Sequence, residues 1–178
     1  MDIDQLLEEY FSIRGSYTID NGVVNVDGRV TLIKDCEKLP VKFGSVSGYF
    51  ECCNNHLTTL LGCPSSVGSG FDCTNNQLIN LEGCPSHVGG GFHCSHNRLT
   101  SLQGCPKSVD EFDCSYNYLT TLEGCPSSAD GSFYCYNNQL VNLEYLPDIP
   151  GMLKVDKHIE NTPEYKKWQA KKLSRRST

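Results

Sequence analysis

Apolar and polar positions return at the same offsets five times between residues 49 and 147. In the copy that begins at Phe92 they fall on Phe92, Cys94, Asn97, Leu99, Leu102, Gly104, Cys105, Pro106 and Val109. The frame also starts at Phe50, Phe71, Phe112 and Phe133, so successive copies are 21, 21, 20 and 21 residues apart. A fixed period near twenty means that each copy is one turn of a stacked chain that cannot bury its apolar side alone. Phe-x-Cys reads as a short strand with two inward side chains, Asn turns the corner, and two leucines and a second cysteine fill the core on the return.

With Leu and Asn at set offsets, this pattern is that of a leucine-rich repeat solenoid. It predicts a short-strand parallel sheet on the concave face and an irregular convex side. Phenylalanine, cysteine, leucine and asparagine then form ladders along the stack. Asn55, Asn76, Asn97, Asn117 and Asn138 are expected to be buried, each carboxamide satisfying backbone groups where the chain leaves the strand.

The flanks predict caps. Leu6, Leu7, Tyr10, Phe11 and Ile13 form an apolar stripe of a helix over residues 4–14, ended by Gly15. Asn21-Gly22 and Asp27-Gly28 mark turns of a meander of short strands, which joins the repeats through Leu39-Pro40 and a loop over residues 44–48. Cys36 takes a Leu position in a degenerate first turn. At the other end residues 149–153 read as a partial turn. Thr162-Pro163 reads as the N-cap and first residue of a helix that places Tyr165, Trp168 and Leu173 on one face, docking the tryptophan over the last turn. The organisation is therefore an N-terminal helix and β-meander cap (1–48), five repeats (49–147), and a C-terminal cap with a basic helical tail (148–178).

Composition narrows the chemistry. Eleven cysteines raise the question of disulfides or zinc, but nine lie on the two inward ladders, the count is odd, and no Cys-x-x-Cys occurs. They read as small core hydrophobes, with Cys53 facing outward. No apolar run approaches a membrane span, and the acidic start Met1-Asp2-Ile3-Asp4 lacks a secretory signal, so the cytosol of the producing cell, without membrane attachment, is expected. The net charge of −6 is unevenly spread. Residues 161–178 hold six Lys or Arg against one acid, and the preceding 160 residues hold nine against twenty. The acidic body would repel a phosphate backbone, which leaves Lys171, Lys172, Arg175 and Arg176 as the only nucleic-acid candidates.

The lead-in Val24-Asn25-Val26-Asp27-Gly28, the bend Leu39-Pro40 with Lys42-Phe43-Gly44, and the units Phe-Asp-Cys-Ser-Tyr-Asn, Leu-Thr-Thr-Leu-Glu-Gly-Cys-Pro and Val-Gly-Gly-Gly-Phe carry a resemblance. Over residues 17–147 the chain resembles small leucine-rich repeat proteins encoded by large tailed bacteriophages. The resemblance implies a viral origin and expression in the cytosol of a bacterial host, and no catalytic domain of the kind that some bacterial effectors join to such repeats fits here.

Function is then sought at outward strand positions. Tyr116, Tyr118, Tyr134 and Tyr136 cluster on two adjacent turns beside Glu111 and Asp113, with Asp72, His93, His96 and Arg98 on the turns before them. Tyrosine offers large contact area at small entropic cost and is enriched at binding hot spots. Acidic neighbours suit a partner with a basic surface. Cys53, His56 and Glu51 could be arranged as thiol, base and orienting acid, but on an open strand face without an oxyanion hole. His93 and His96 with Asp72 or Asp113 are the only residues that suggest a surface metal. The expectation is a non-enzymatic, cofactor-free protein-binding module that inhibits or redirects a bacterial host protein, antiviral defence included. A virion component and nucleic-acid tethering through the tail are the alternatives.

Overall fold

A computed structural model describes residues 2–175. The chain is a parallel β-solenoid of about seven turns with a helix at each end. Helix α1 (Ile3–Tyr10) leads into β1 (Phe11–Asp20) and β2 (Val23–Leu32), an antiparallel hairpin. Each turn then adds a two-residue strand that begins at a repeat phenylalanine: β4 (Phe50–Glu51), β6 (Phe71–Asp72), β8 (Phe92–His93), β10 (Phe112–Asp113) and β12 (Phe133–Tyr134). These pair in parallel and in register, and β13 (Leu153–Lys154) pairs with β12 to close the row.

The opposite side is more regular than the repeat pattern predicts. It carries β3 (Lys42–Val46), β5 (Ser66–Val67) and β7 (His87–Val88) as one parallel row, and β9 (Ser108–Val109) with β11 (Ser128–Ala129) as a second. The segment expected as a loop over residues 44–48 thus begins as a strand. Val46, Val67, Val88, Val109 and Ala129 are its inward side chains, all buried. With only one inward residue per turn, this row left too short an alternation to read as a strand.

Between the two rows runs the core. All seven phenylalanines form one column, Phe11, Phe43, Phe50, Phe71, Phe92, Phe112 and Phe133, with successive ring centroids 5.0–5.9 Å apart. Cys52, Cys73, Cys94, Cys114 and Cys135 are fully buried and Cys63 nearly so, while Cys84, Cys105 and Cys125 are partly covered. Burial pushes the Cys84 and Cys125 thiols up to about 12. They stay protonated at neutral pH and behave as small apolar groups with a weak donor; Cys84 gives its S–H to the Gly104 carbonyl at 3.0 Å.

Each ladder asparagine ties its turn to the one before. Asn76 Oδ1 accepts from the Leu57 amide at 2.9 Å, and Nδ2 donates to the carbonyls of Cys52 at 2.9 Å and Cys73 at 3.1 Å. Asn97 and Asn117 repeat this arrangement in buried positions, and Asn138 does so half-buried. Asn55 accepts from the Cys36 amide at 2.7 Å, which places Cys36 at the Leu position of an incomplete earlier turn. A column missed in the sequence lies beside it. Thr59, Asn80, Ser101, Thr121 and Asn142 each accept from the amide two residues on, closing the turn before a left-handed residue that is glycine in four copies and Tyr145 in the fifth. Hydroxyl or amide at that offset in every copy was the available signal.

The N-terminal cap differs from expectation in two ways. The helix starts at Ile3, where Asp2 and Gln5 form a capping box, and it stops at Tyr10 because Phe11 is in an extended conformation, so that Phe11–Arg14 belong to β1. No turn occurs at Asp27-Gly28. Instead β2 runs through it, its first half pairing with β3 and its second half with β4, so the hairpin bends around the corner between the two rows. Gly15 and Gly28 face each other at that bend with φ of +137° and +146°, and a Cβ on either would lie 2.0 Å from the opposite carbonyl oxygen. Only glycine fits two backbones that close.

Helix α2 (Pro163–Arg175) begins as predicted, with Thr162 Oγ1 accepting from the Tyr165 amide at 3.3 Å. Trp168 donates from Nε1 to the Ile149 carbonyl at 3.2 Å and packs against the last turn. Leu173 does not share that face. It is 65% exposed, and Lys172 covers the indole instead, with Nζ 4.9 Å from the ring centroid. Five residues on from Trp168, about 140° around the helix, Leu173 borders the groove beside Tyr165 and Trp168 without reaching the last turn.

Candidate functional site: the ring row and the glycine-floored groove

The corner that follows each phenylalanine strand needs one residue in the left-handed conformation, just before the ladder asparagine. Asn54, Asn75 and Asn137 fill it with φ of 53–56°, as suits asparagine. In the third and fourth turns His96 and Tyr116 occupy the same place with φ of 54° and 53°. A bulky ring there costs conformational energy that asparagine avoids. The two rings stack, centroids 4.0 Å apart and planes within 14°. Tyr136 meets Tyr116 edge-on at 5.3 Å, and Lys154 Nζ lies 4.3 Å from the Tyr136 centroid. His96, Tyr116, Tyr136 and Lys154 thus form one row across four turns, with Tyr116 41% exposed.

Other predicted residues lie apart from this row. Tyr118 is 53% exposed, at the offset of His56, Gln77, Arg98 and Gln139, and makes no ring contact among the described residues. Tyr134 is half-buried in β12 between Asp113 and Lys154 on the neighbouring strands. Asp72 and Asp113 serve the backbone: Asp72 Oδ1 accepts from the Thr74 amide at 2.8 Å and Asp113 Oδ1 from the Ser115 amide at 2.9 Å. Ser95 and Ser115, just before the left-handed corner, are buried.

A second feature lies at the other edge of the strands. Tyr49 leans over Gly70 and His93 over Gly91, so that a Cβ at either glycine would sit within 2.9 Å of the ring. With Glu51, Asp72 and Glu111 they border a shallow groove of about 340 Å³. Glu51 is held by Arg29 and Thr31, and its carboxyl lies below the usual range because of the Arg29 hydrogen bond. Lys154, Tyr49 and the two glycines were missed as site residues. The 20-residue register of Leu153-Lys154 on Phe133-Tyr134 would have found the lysine.

Comparison with known proteins adds no relative. No family model, no curated protein and no solved structure matches this chain.

The remaining chemistry is quiet. Burial, with Asp72 nearby, pushes the Cys53 thiol up to about 11. At neutral pH it is therefore a poor nucleophile, and His56 faces Asp35 at 3.8 Å. Among the described residues no three His, Cys, Asp or Glu side chains are grouped to hold a metal, and no helix is long and apolar enough to cross a membrane. Three of the four tail cations are engaged with the last turn. Lys171 pairs with Asp148 at 2.7 Å, Arg175 pairs with the same carboxylate, and Lys172 donates to the Gly151 carbonyl at 2.6 Å. Arg176 lies outside the described residues.

Proposed function

We propose that the protein is a non-enzymatic recognition module that binds a protein partner through the ring row of its phenylalanine-strand face. The observation that carries this reading is the pair His96 and Tyr116, rings set in a left-handed corner where the other turns use asparagine. Residues held in sparsely populated backbone conformations cluster at binding and catalytic sites, and stacked rings give a rigid apolar platform. Lys154 at one end and the acidic groove at the other side let the platform discriminate charge on its partner. The resemblance to phage repeat proteins makes a bacterial host protein, such as a defence component, the natural target, with inhibition by occlusion as the mechanism. Nucleic-acid tethering is disfavoured because Lys171, Lys172 and Arg175 hold the last turn.

The test is affinity capture from bacterial lysate with wild type and a His96→Asn/Tyr116→Asn variant, which restores the residue preferred at that corner. The variant is expected to be at least as stable as wild type and to lose the captured partner. A partner retained at full yield by the variant would move the site off the ring row.

A further inference from the structure

The N-terminal end leaves one line of backbone groups unused. Asn21-Gly22 is a two-residue turn with φ of 49° and 78°, so the closing pair Asp20 and Val23 exchanges hydrogen bonds and the pattern alternates from there. The amides and carbonyls of Ser12, Arg14, Ser16 and Thr18 therefore face β2. Those of Ile13, Gly15, Tyr17 and Ile19 face the other way, where no strand, helix or side chain among the described residues takes them. The edge is ten residues long and holds no proline. Edges of that length are normally blunted, and the other end of this solenoid is closed by α2.

Its shape selects the occupant. Because β1 follows β2 around the corner at Gly15 and Gly28, a straight strand could pair with only one limb of it. The geometry points to a second copy of this chain, paired β1 to β1 in antiparallel sense about a two-fold axis at Ser16. That axis is perpendicular to the ribbon, so both bends curve the same way and lie one residue either side of it.

In this register Ile13 stands opposite Ile19 of the other copy, and Gly15 opposite Tyr17, whose hydroxyl donates to Asp4 of its own α1 at 2.8 Å. Ile13 and Ile19 are only partly buried in the single chain. On the outer face Arg14 stands opposite Thr18 and one diagonal step from Asp20, within reach of its guanidinium. Both charges are exposed and neither makes a hydrogen bond or ion pair among the described residues; the acid that feels Arg14 is Glu51, which Arg29 already holds. The axis brings Arg14 and Asp20 together twice, which works against repulsion between the two acidic α1 helices. This surface is separate from the ring row, and a dimer would present two such rows.

Sedimentation velocity of the full chain tests the pairing. Wild type is expected to show a concentration-dependent dimer up to about 100 μM, the range of a weak interface. Arg14→Asp and Asp20→Arg should each weaken it by roughly tenfold or more, since each sets like charges across the axis twice. Mixing the two single variants should restore association as a heterodimer, and the double variant should dimerise by itself. That recovery also shows that each single variant is folded. A wild type that stays monomeric throughout, or single variants that dimerise as well as wild type, overturns the inference.

Discussion

The two ends of the solenoid solve one problem by different means. At the N-terminal end the last turn is continued by a bent hairpin with ten cross-strand pairs, and Leu7 and Phe11 plug the core beneath it. At the C-terminal end the final strand is two residues long, and α2 buries none of its described residues. It holds by capping carbonyls: Trp168 and Arg175 on Ile149, Lys172 on Gly151, with Asp148 gripped by two cations. Asp156 adds acceptors for the amides of Asn137 and Asn138. One end is held by sheet and apolar burial, and the other by polar side chains at the surface. Charge contacts of that kind are screened by salt and individually weak.

The largest perturbation should erase the difference, because both ends rest on the same thiol-lined core. Burial raises the pKa of eight ladder thiols, Cys63, Cys73, Cys84, Cys94, Cys105, Cys114, Cys125 and Cys135. A raised folded pKa gives stability that is complete below the unfolded thiol value, near 8.5, and is lost as pH rises from there toward the folded value. Each thiol then costs roughly 1.4 kcal/mol per pH unit. Eight together exceed a typical domain stability by about pH 10. Far-ultraviolet circular dichroism under reducing conditions should show one cooperative loss between about pH 9 and 10, both ends together. A fold intact at pH well above that window would sink this account of the core.

Next comes the N-terminal bend. Gly28→Val forces a side chain into the Arg14 carbonyl and should cost at least about 3 kcal/mol in denaturant unfolding. Gly22→Ala in the adjacent turn should cost only about 1 kcal/mol, since nothing lies within 4 Å of its Cβ position and only φ of +78° opposes it. Equal costs would mean that backbone conformation, not the close approach at Gly15, governs this end.

The smallest effects belong to α2. Trp168→Ala should raise hydrogen exchange across residues 163–175 while lowering global stability by about 1–2 kcal/mol, as expected for a half-buried aromatic. Asp148→Asn should cost below about 1 kcal/mol and remove most of the salt dependence of that exchange. Hydrogen bonding from Lys171, with Arg175 beside it, holds the Asp148 carboxyl below its usual range. Its contribution is present above the ordinary carboxylate value and is lost as pH falls through the depressed one. Release of α2 by acid but not by salt would contradict the ion-pair reading.

The repeat makes most of the architecture legible in the sequence. Burial has to recur once per turn, so Phe50, Leu57, Leu60 and the ladder asparagines announce themselves by position, and even Cys36 could be placed by offset. The candidate site was only partly legible. Tyr116 and Tyr136 are neighbours through the stacking of turns, but Tyr118 and Tyr134 share their turns without joining the row, and Asp72 and Asp113 are each tied to the backbone amide two residues on. Left-handed geometry at His96 and Tyr116 could be suspected only by aligning them with Asn54, Asn75 and Asn137.

What the sequence by itself determined is what repeats: the turn length, the inward ladders, the amide that stitches each turn to the last. Those depend on local periodicity and on the demand that buried polar groups find partners. What the tertiary structure alone decided is what occurs once. The bend at Gly15 and Gly28, the strand that serves two rows, the cations of α2 on carbonyls some twenty residues earlier and the unpaired edge of β1 all depend on which segments meet in space, and no local pattern encodes a meeting that happens a single time.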